Sequence, residues 1–478
     1  MKIVYFSLSA LTLGMFLQSC ATASPDQVLQ TLEKEKPEIC RNFDYAGKDT
    51  ISDSYTNTYK LWRDFDDYYD DVRAPNGRKL AVFLDGTNND KDNATNIRDM
   101  YRLAIAQACQ NIPVVPYYDK GVGAKWFEKI GFLPLSSGLG ASLNIRQAYR
   151  FLSQTYKASD NVDNKQGDEI YIFGFSRGAF TARSLNGFIE FAGLLDGTHM
   201  KSKLPTGIHW TEKFERMVDK IYDQYHIKSD GADLKAQIQA YEGKHYPEQK
   251  FDKTVKVKAI GVFDTVPALG LYLEDNPQNH KLDLYAKKGF HALALDEQRS
   301  QFKLLRFNKA LIQQDQLLSE VWFPGGHSNV GGGYANTFGC NTDNQQGADY
   351  YDSLETTPLN WMLGKFTDEQ LFPKINPSLT ECRDGQLHDA YFDSKVPAYS
   401  LSPPLPRTPV IGDILHDSVL CRMQYQTLKI KHPKREPENK YQPNNIPSSY
   451  TIETTNYGTL NQQSPATRCS QPKLITLK

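Results

Sequence analysis

Residues 169–195 read EIYIFGFSRGAFTARSLNGFIEFAGLL. The run Ile170-Tyr171-Ile172-Phe173 is β-branched and aromatic, as in a buried strand, and the residues after Gly178 recur at helical spacing. Between them Gly174-Phe175-Ser176-Arg177-Gly178 must turn strand into helix within a few residues. A turn that tight leaves no room for side chains where the two backbones pass, so glycine brackets it. The serine at its apex is expected to hold a strained conformation with its hydroxyl presented outward. The helix starting beneath that hydroxyl aims its first N–H groups and its positive dipole end at any oxyanion formed there. This is the pattern of a nucleophile elbow.

On either side of the elbow, strand and helix patterns alternate. Strands are expected at 80–84, 112–118, 170–173, 255–263 and 321–323, and helices at 96–108 and 142–156. Such alternation specifies an α/β fold with a doubly wound, mostly parallel sheet, whose ligands bind beyond the carboxyl ends of the strands. The polar residues of this sequence gather at those ends.

A serine nucleophile needs a base and a group to orient it. Strand 255–263 ends in Asp264-Thr265-Val266-Pro267, which puts a carboxylate at the edge that carries Ser176. The stretch 322–334, WFPGGHSNVGGGY, sets His327 in a glycine-rich loop directly after a strand. Ser176, Asp264 and His327 stand in the chain order that α/β-hydrolases use. Two other histidines compete for the base: His291, on a stretch (FHALALD) that reads as helical, and His416, which comes late enough but lacks a glycine-rich loop. For the oxyanion hole, the N–H of Arg177 and that of Gly86 or Thr87, in the turn after the first strand, are the candidate donors. Asp85-Gly86-Thr87 also fits the start of a phosphatase motif, but the nucleophilic aspartate that motif needs two residues earlier is Phe83 here.

The composition excludes some functions. With 55 basic against 56 acidic residues, the chain has no electrostatic footprint for nucleic acid. No Cys-x-x-Cys pair points to zinc or to a thioredoxin site, and no metal or cofactor is expected. At the amino terminus Met1-Lys2 is followed by an apolar run and by Leu17-Gln18-Ser19-Cys20, similar to a bacterial lipoprotein signal in which Cys20 carries the lipid. Ala21 in the next position implies the outer membrane, facing the periplasm, with secretion as the alternative. Without Cys20 six of the seven cysteines remain, an even number suited to an oxidising compartment. The expected organisation is a signal at 1–19, a tether and accessory segment at 20–77, a catalytic domain at 78–447 with a helical cap insertion at 196–252, and a polar tail at 448–478.

Phe83 to Thr87, Thr95-Asn96-Ile97, Gly121-Val122-Gly123, Gly174 to Ala179 with Arg183, Gly261 to Val266, Ala292 to Glu297, Trp322 to Tyr334 and His416 to Val419 occur in this order. The set resembles the uncharacterised α/β-hydrolase family that includes type VI secretion phospholipase effectors. The resemblance spans 78–447 and implies a Ser-Asp-His lipase acting on phospholipid or related lipid esters, carried by Ser176, Asp264 and His327. Phe263 stands where a tryptophan is common in the family, and Asn329 where an aspartate is frequent. Two functions are therefore expected: a membrane-anchored serine esterase or phospholipase and, as the alternative, a lipoprotein whose hydrolase-like body serves as a binding or protective module for a protein partner.

Overall fold

A computed structural model describes the chain between Gly77 and Glu453, apart from 87–94, 122–138, 160–165, 198–200, 205–206, 228–233, 268–281, 335–353, 374–384, 394–402, 425–429, 432–440, 447–450 and several single positions. The first half runs β1 (Lys79–Leu84), α1 (Asn96–Ala108), β2 (Val114–Asp119), α2 (Leu139–Thr155), β3 (Glu169–Phe175) and α3 (Arg177–Ala192). It continues through β4 (Leu194–Leu195), β5 (Lys201–Leu204), β6 (Gly207–Trp210), α4 (Glu212–Ile227), α5 (Leu234–His245), β7 (Phe251–Asp252), β8 (Val257–Phe263) and β9 (Lys288–Ala294). The rest comprises β10 (Leu317–Phe323), α6 (His327–Gly331), α7 (Thr356–Lys365), β11 (Leu387–His388), α8 (Ala390–Asp393), β12 (Ile414–His416), α9 (Asp417–Gln424), β13 (Ile430–Lys431) and β14 (Thr451–Glu453).

Eight strands form one sheet in the order β14-β12-β10-β9-β8-β3-β1-β2, and every neighbouring pair in it is parallel. Parallel sheets are covered on both faces, so their strands read as continuous apolar runs rather than alternating ones. Accordingly Leu80 to Leu84 and Ile170 to Phe173 are all buried. From β1 the chain winds one way to β2 and the other way to β3, and right-handed crossovers then send α1 and α2 to opposite faces. The observed packing agrees, with α2 against α3 and α1 against α7. The crevice between the carboxyl ends of β1 and β3 is thus the topological switch point, where open α/β sheets bind ligands.

Beneath it the core is aromatic. Phe83 of β1 stacks on Phe173 of β3 at 5.0 Å, and Phe366 meets Phe173 edge-on at 4.8 Å. Such pairs contribute about 0.5–1.5 kcal/mol each beyond the area they bury. The segment expected as a cap forms α4 and α5, which pack along α2 and α3: Arg150 pairs with Asp219 at 2.7 Å and the Tyr225 hydroxyl donates to Ser184 O at 3.0 Å.

The five expected strands are present, and three more join them. β9 is the instructive addition, since its sequence, KGFHALA, reads as a helix and His291 was expected on one. In a strand enclosed by β8 and β10 the small residues are useful: a Cβ on Gly289 would lie 2.8 Å from the Leu284 side chain. His291 is therefore a strand residue. β12 is only three residues long, too short for a periodicity, and β14 draws part of the expected polar tail to the edge of the sheet.

Candidate active site

Ser176 sits between β3 and α3 with φ 60° and ψ −125°. That region is nearly closed to non-glycine residues and costs about 1–3 kcal/mol, held here by surrounding structure. The Ser176 N–H donates to Phe263 O on β8 at 3.0 Å, and the Ser176 carbonyl accepts from Ala179 N at 3.1 Å. The glycines make the turn possible. A Cβ on Gly174 would fall 2.5 Å from Gly178 O, and one on Gly178 would fall 2.2 Å from Leu84 O. The second clash matters most for the site, because it shows α3 starting directly against the end of β1.

Asp264 follows β8 and also has a positive φ, 43°. Its backbone N–H donates to Ala292 O on β9 at 2.8 Å. Its Oδ1 accepts from Ala294 N at 2.9 Å and from Arg407 Nη1. Its Oδ2 lies 2.6 Å from His327 Nδ1, and His327 Nε2 lies 2.7 Å from Ser176 Oγ. An ionised carboxylate only accepts, so Nδ1 carries the proton and Nε2 accepts from the serine hydroxyl. The structure thus brings together the serine, the acid and the histidine that the sequence singles out, from the ends of β3, β8 and β10. His327 is not in a loop as expected; it opens the short helix α6. The surrounding glycines fold tightly enough for one helical turn, and a Cβ on Gly331 would enter the ring of Phe175.

The histidine ring is enclosed, with Phe175 at 4.7 Å on one side and Phe302 edge-on at 4.8 Å. Its backbone N–H donates to Glu297 Oε2 at 3.1 Å. Burial lowers the pKa of His327 against the raising influence of Asp264, so the ring is kept neutral and ready to accept a proton. Burial would raise Asp264, but Arg407 and His327 outweigh it and hold the carboxyl well below its usual range. Glu297, likewise buried, is brought down to about 2, chiefly by the Arg299 guanidinium that grips both its oxygens.

At the neighbouring strand end, Asp85 is buried and accepts from Thr95 Oγ1 at 2.6 Å and from Tyr118 OH at 2.7 Å. Burial pushes it up to about 6, with those hydrogen bonds opposing. Gly86, expected as an oxyanion donor, gives its N–H to Asp85 Oδ1 at 2.6 Å, and Thr87 lies outside the described residues. Arg177, the other expected donor, opens α3 immediately after the serine, at the positive end of the helix. The motif residue Asn96 ties α1 to the histidine helix by donating to Val330 O at 2.9 Å.

The competing histidines are elsewhere. His291 Nε2 accepts from the Thr265 backbone N–H at 3.1 Å and its Nδ1 faces Glu320 Oε1 at 3.1 Å. His416 stacks on Phe323 at 4.6 Å with Nδ1 2.8 Å from Ser418 Oγ. Sequence reasoning missed Arg407, Glu297, Arg299 and Phe302. Only Glu297 fell inside a singled-out motif, and nothing in the proline-rich run around Arg407 marks it. Cys421 is disulfide-bonded, and the other cysteines, including Cys20, lie outside the described residues.

A family model described as "T6SS, Phospholipase effector Tle1-like, catalytic domain" matches residues 78–365, a span that contains Ser176, Asp264 and His327. An uncharacterized protein of Saccharomyces cerevisiae is 28% identical over 252 residues, which cover 49% of this chain and 33% of that protein. The chain thus matches about a third of the length of this curated relative. A crystal structure of an uncharacterized protein from Pseudomonas aeruginosa aligns with a TM-score of 0.37 at 16% identity, covering 68% of this chain and 50% of that one.

Proposed function

The chain belongs to the family of Tle1-like type VI secretion phospholipase effectors, defined on their catalytic domain, and from that premise we propose that it is a serine hydrolase of the α/β-hydrolase type, cleaving ester bonds of phospholipids or related lipids. The observation that carries the reading is the continuous chain Ser176 Oγ, His327 Nε2, His327 Nδ1, Asp264 Oδ2, with separations of 2.7 and 2.6 Å between residues. In this reading Ser176 Oγ attacks the ester carbonyl carbon while His327 Nε2 takes its proton. Asp264 fixes the tautomer and stabilises the imidazolium without itself becoming protonated. Collapse of the tetrahedral intermediate breaks the bond to the leaving alcohol, which receives the proton from Nε2 and leaves an acyl group on Ser176. Water repeats the sequence and frees the fatty acid.

The oxyanion is assigned to the Arg177 N–H and a donor on the turn after β1. With the Gly86 N–H engaged by Asp85, Thr87 is the donor on that turn that the reading retains. Residues 1–19 are read as a lipoprotein signal, with a lipid on Cys20 holding the protein at the bacterial envelope. A Cys20→Ser protein should then leave the membrane fraction, and its full retention there would contradict the anchor.

The activity is tested by incubating purified protein with phospholipid vesicles and measuring free fatty acid release. Release by the parent and none by Ser176→Ala is expected. Equal release by both would assign the hydrolysis to another group, and no release by the parent from any lipid or soluble ester would favour the binding-module alternative.

A further inference from the structure

Asp264 has a second cationic partner besides the histidine. Arg407 lies in the run Pro403 to Asp413, beyond the 78–365 stretch that matches the family model. It is buried, 8% exposed. Nη1 pairs with Asp264 Oδ1 and also donates to Ala294 O at 3.1 Å, while Nη2 donates to Phe302 O at 2.7 Å. Phe302 is the ring set edge-on against His327. The Arg407 carbonyl is in turn held by Asn445 Nδ2 at 2.6 Å. One side chain therefore touches the acid on the oxygen that His327 does not use, and fixes the aromatic wall of the imidazole.

We propose that Arg407 is a positioning residue of the hydrolytic site, which locks the Asp264 carboxylate in its rotamer and, by sharing its charge, keeps His327 neutral to lower pH than Asp264 alone would allow. This rests on the serine-hydrolase reading above. A carboxylate that already neutralises a buried guanidinium has less charge to offer an imidazolium, and a fixed cation nearby disfavours a second one directly. Packing alone would not call for arginine, since a buried ion pair can be replaced by apolar residues at little cost in stability. Among the described residues, the other titratable or charged groups facing the pair are Glu297, which holds the His327 N–H, Arg299, which neutralises Glu297, and His291, behind Thr265. None of them touches the Asp264 carboxylate oxygens; Arg299 lowers the pKa of His327 from its own side, and Arg407 is the cation seated on the carboxylate itself.

The test is the pH dependence of kcat/KM on a soluble ester, whose acid limb reports the base of the free enzyme. Arg407→Gln should move the midpoint of that limb upward by about one pH unit, because the imidazolium loses a nearby like charge and gains the undivided charge of Asp264. Arg407→Lys should bring the midpoint back toward the parent's even though it loses the fork to Phe302 O and Ala294 O. Activity that falls equally at every pH, with an unmoved midpoint, would reduce Arg407 to packing and overturn the inference. If Arg407→Gln does not fold, Asn445→Ala carries the test: it frees the Arg407 backbone and should give a smaller movement in the same direction, and an unmoved midpoint would count against the proposal. A parent that turned over no ester and took no fluorophosphonate would instead sink the serine-hydrolase reading itself.

Discussion

Among the described residues, two histidine–carboxylate pairs with both partners buried lie on adjacent parts of one sheet, His327 with Asp264 and His291 with Glu320. Both carboxylates also face an arginine, Arg407 and Arg306 respectively. Their ingredients match, and their positions separate them. His291 lies within β9 and its outer nitrogen accepts the Thr265 N–H, so it has no lone pair left to take up a proton. Glu320 is tied through Arg306 to Asp413, which also accepts from the Trp322 indole at 2.9 Å. His327 lies past its strand end, and its outer nitrogen meets a serine held at a positive φ at the switch point. A His–carboxylate pair therefore becomes capable of acid–base work only where the backbone ends its ladder and leaves one nitrogen facing a reactive hydroxyl.

The largest effects should fall on the first pair. Ser176→Ala and His327→Ala should each lower ester turnover by about 10⁴-fold or more, with the double mutant little worse than either, because the residues of such a site act as a unit. Additive losses in the double mutant would break that unity. Asp264→Asn should cost about 3–5 kcal/mol of stability by leaving the buried Arg407 without its carboxylate, and in the folded fraction should lower kcat by roughly 10³- to 10⁴-fold, since an amide favours the wrong imidazole tautomer. Near-parent turnover at neutral pH would move the orienting role elsewhere.

The second pair should respond in stability rather than rate. Glu320→Gln takes one of two carboxylates from Arg306, with Asp413 remaining, and the charged acceptor from His291, and should cost about 1–3 kcal/mol in denaturant unfolding, while the folded fraction keeps its kcat. Its acid dependence follows from the carboxyl. Burial works to raise Glu320, but His291, Arg306 and the Phe307 N–H bring it down to about 2 from 4.5. The stability it contributes is therefore present above about pH 4.5 and lost as pH falls toward 2. Glu320→Gln should flatten the parent's stability loss in that window, and an unchanged acid slope would contradict the assignment. His416→Ala should be similarly mild, costing about 1–3 kcal/mol of stability through lost packing on Phe323, with turnover unaltered in the folded protein. A collapse of kcat there would reopen the choice of base.

Much of this difference was legible in the sequence. The elbow, Asp264 after an apolar run and His327 between glycines all carry local signals, because tight turns demand glycine and parallel strands demand continuous apolar runs. His291 did not: Ala292 to Leu295 favours a helix locally, and only enclosure between β8 and β10 makes it a strand. Arg407 was equally silent, since its role depends on a contact with Asp264 across 143 positions of sequence. The Gly86 N–H could not be assigned from sequence either, because its engagement depends on how the Asp85 side chain folds back on the turn.

The central claim, that Ser176 is the nucleophile activated by His327, is tested most directly by fluorophosphonate labelling with mass mapping of the modified peptide. One adduct is expected, on Ser176, formed by the parent, abolished in Ser176→Ala and strongly slowed in His327→Ala but not in His416→Ala. An adduct on any other residue, or labelling in His327→Ala as fast as in the parent, would contradict it.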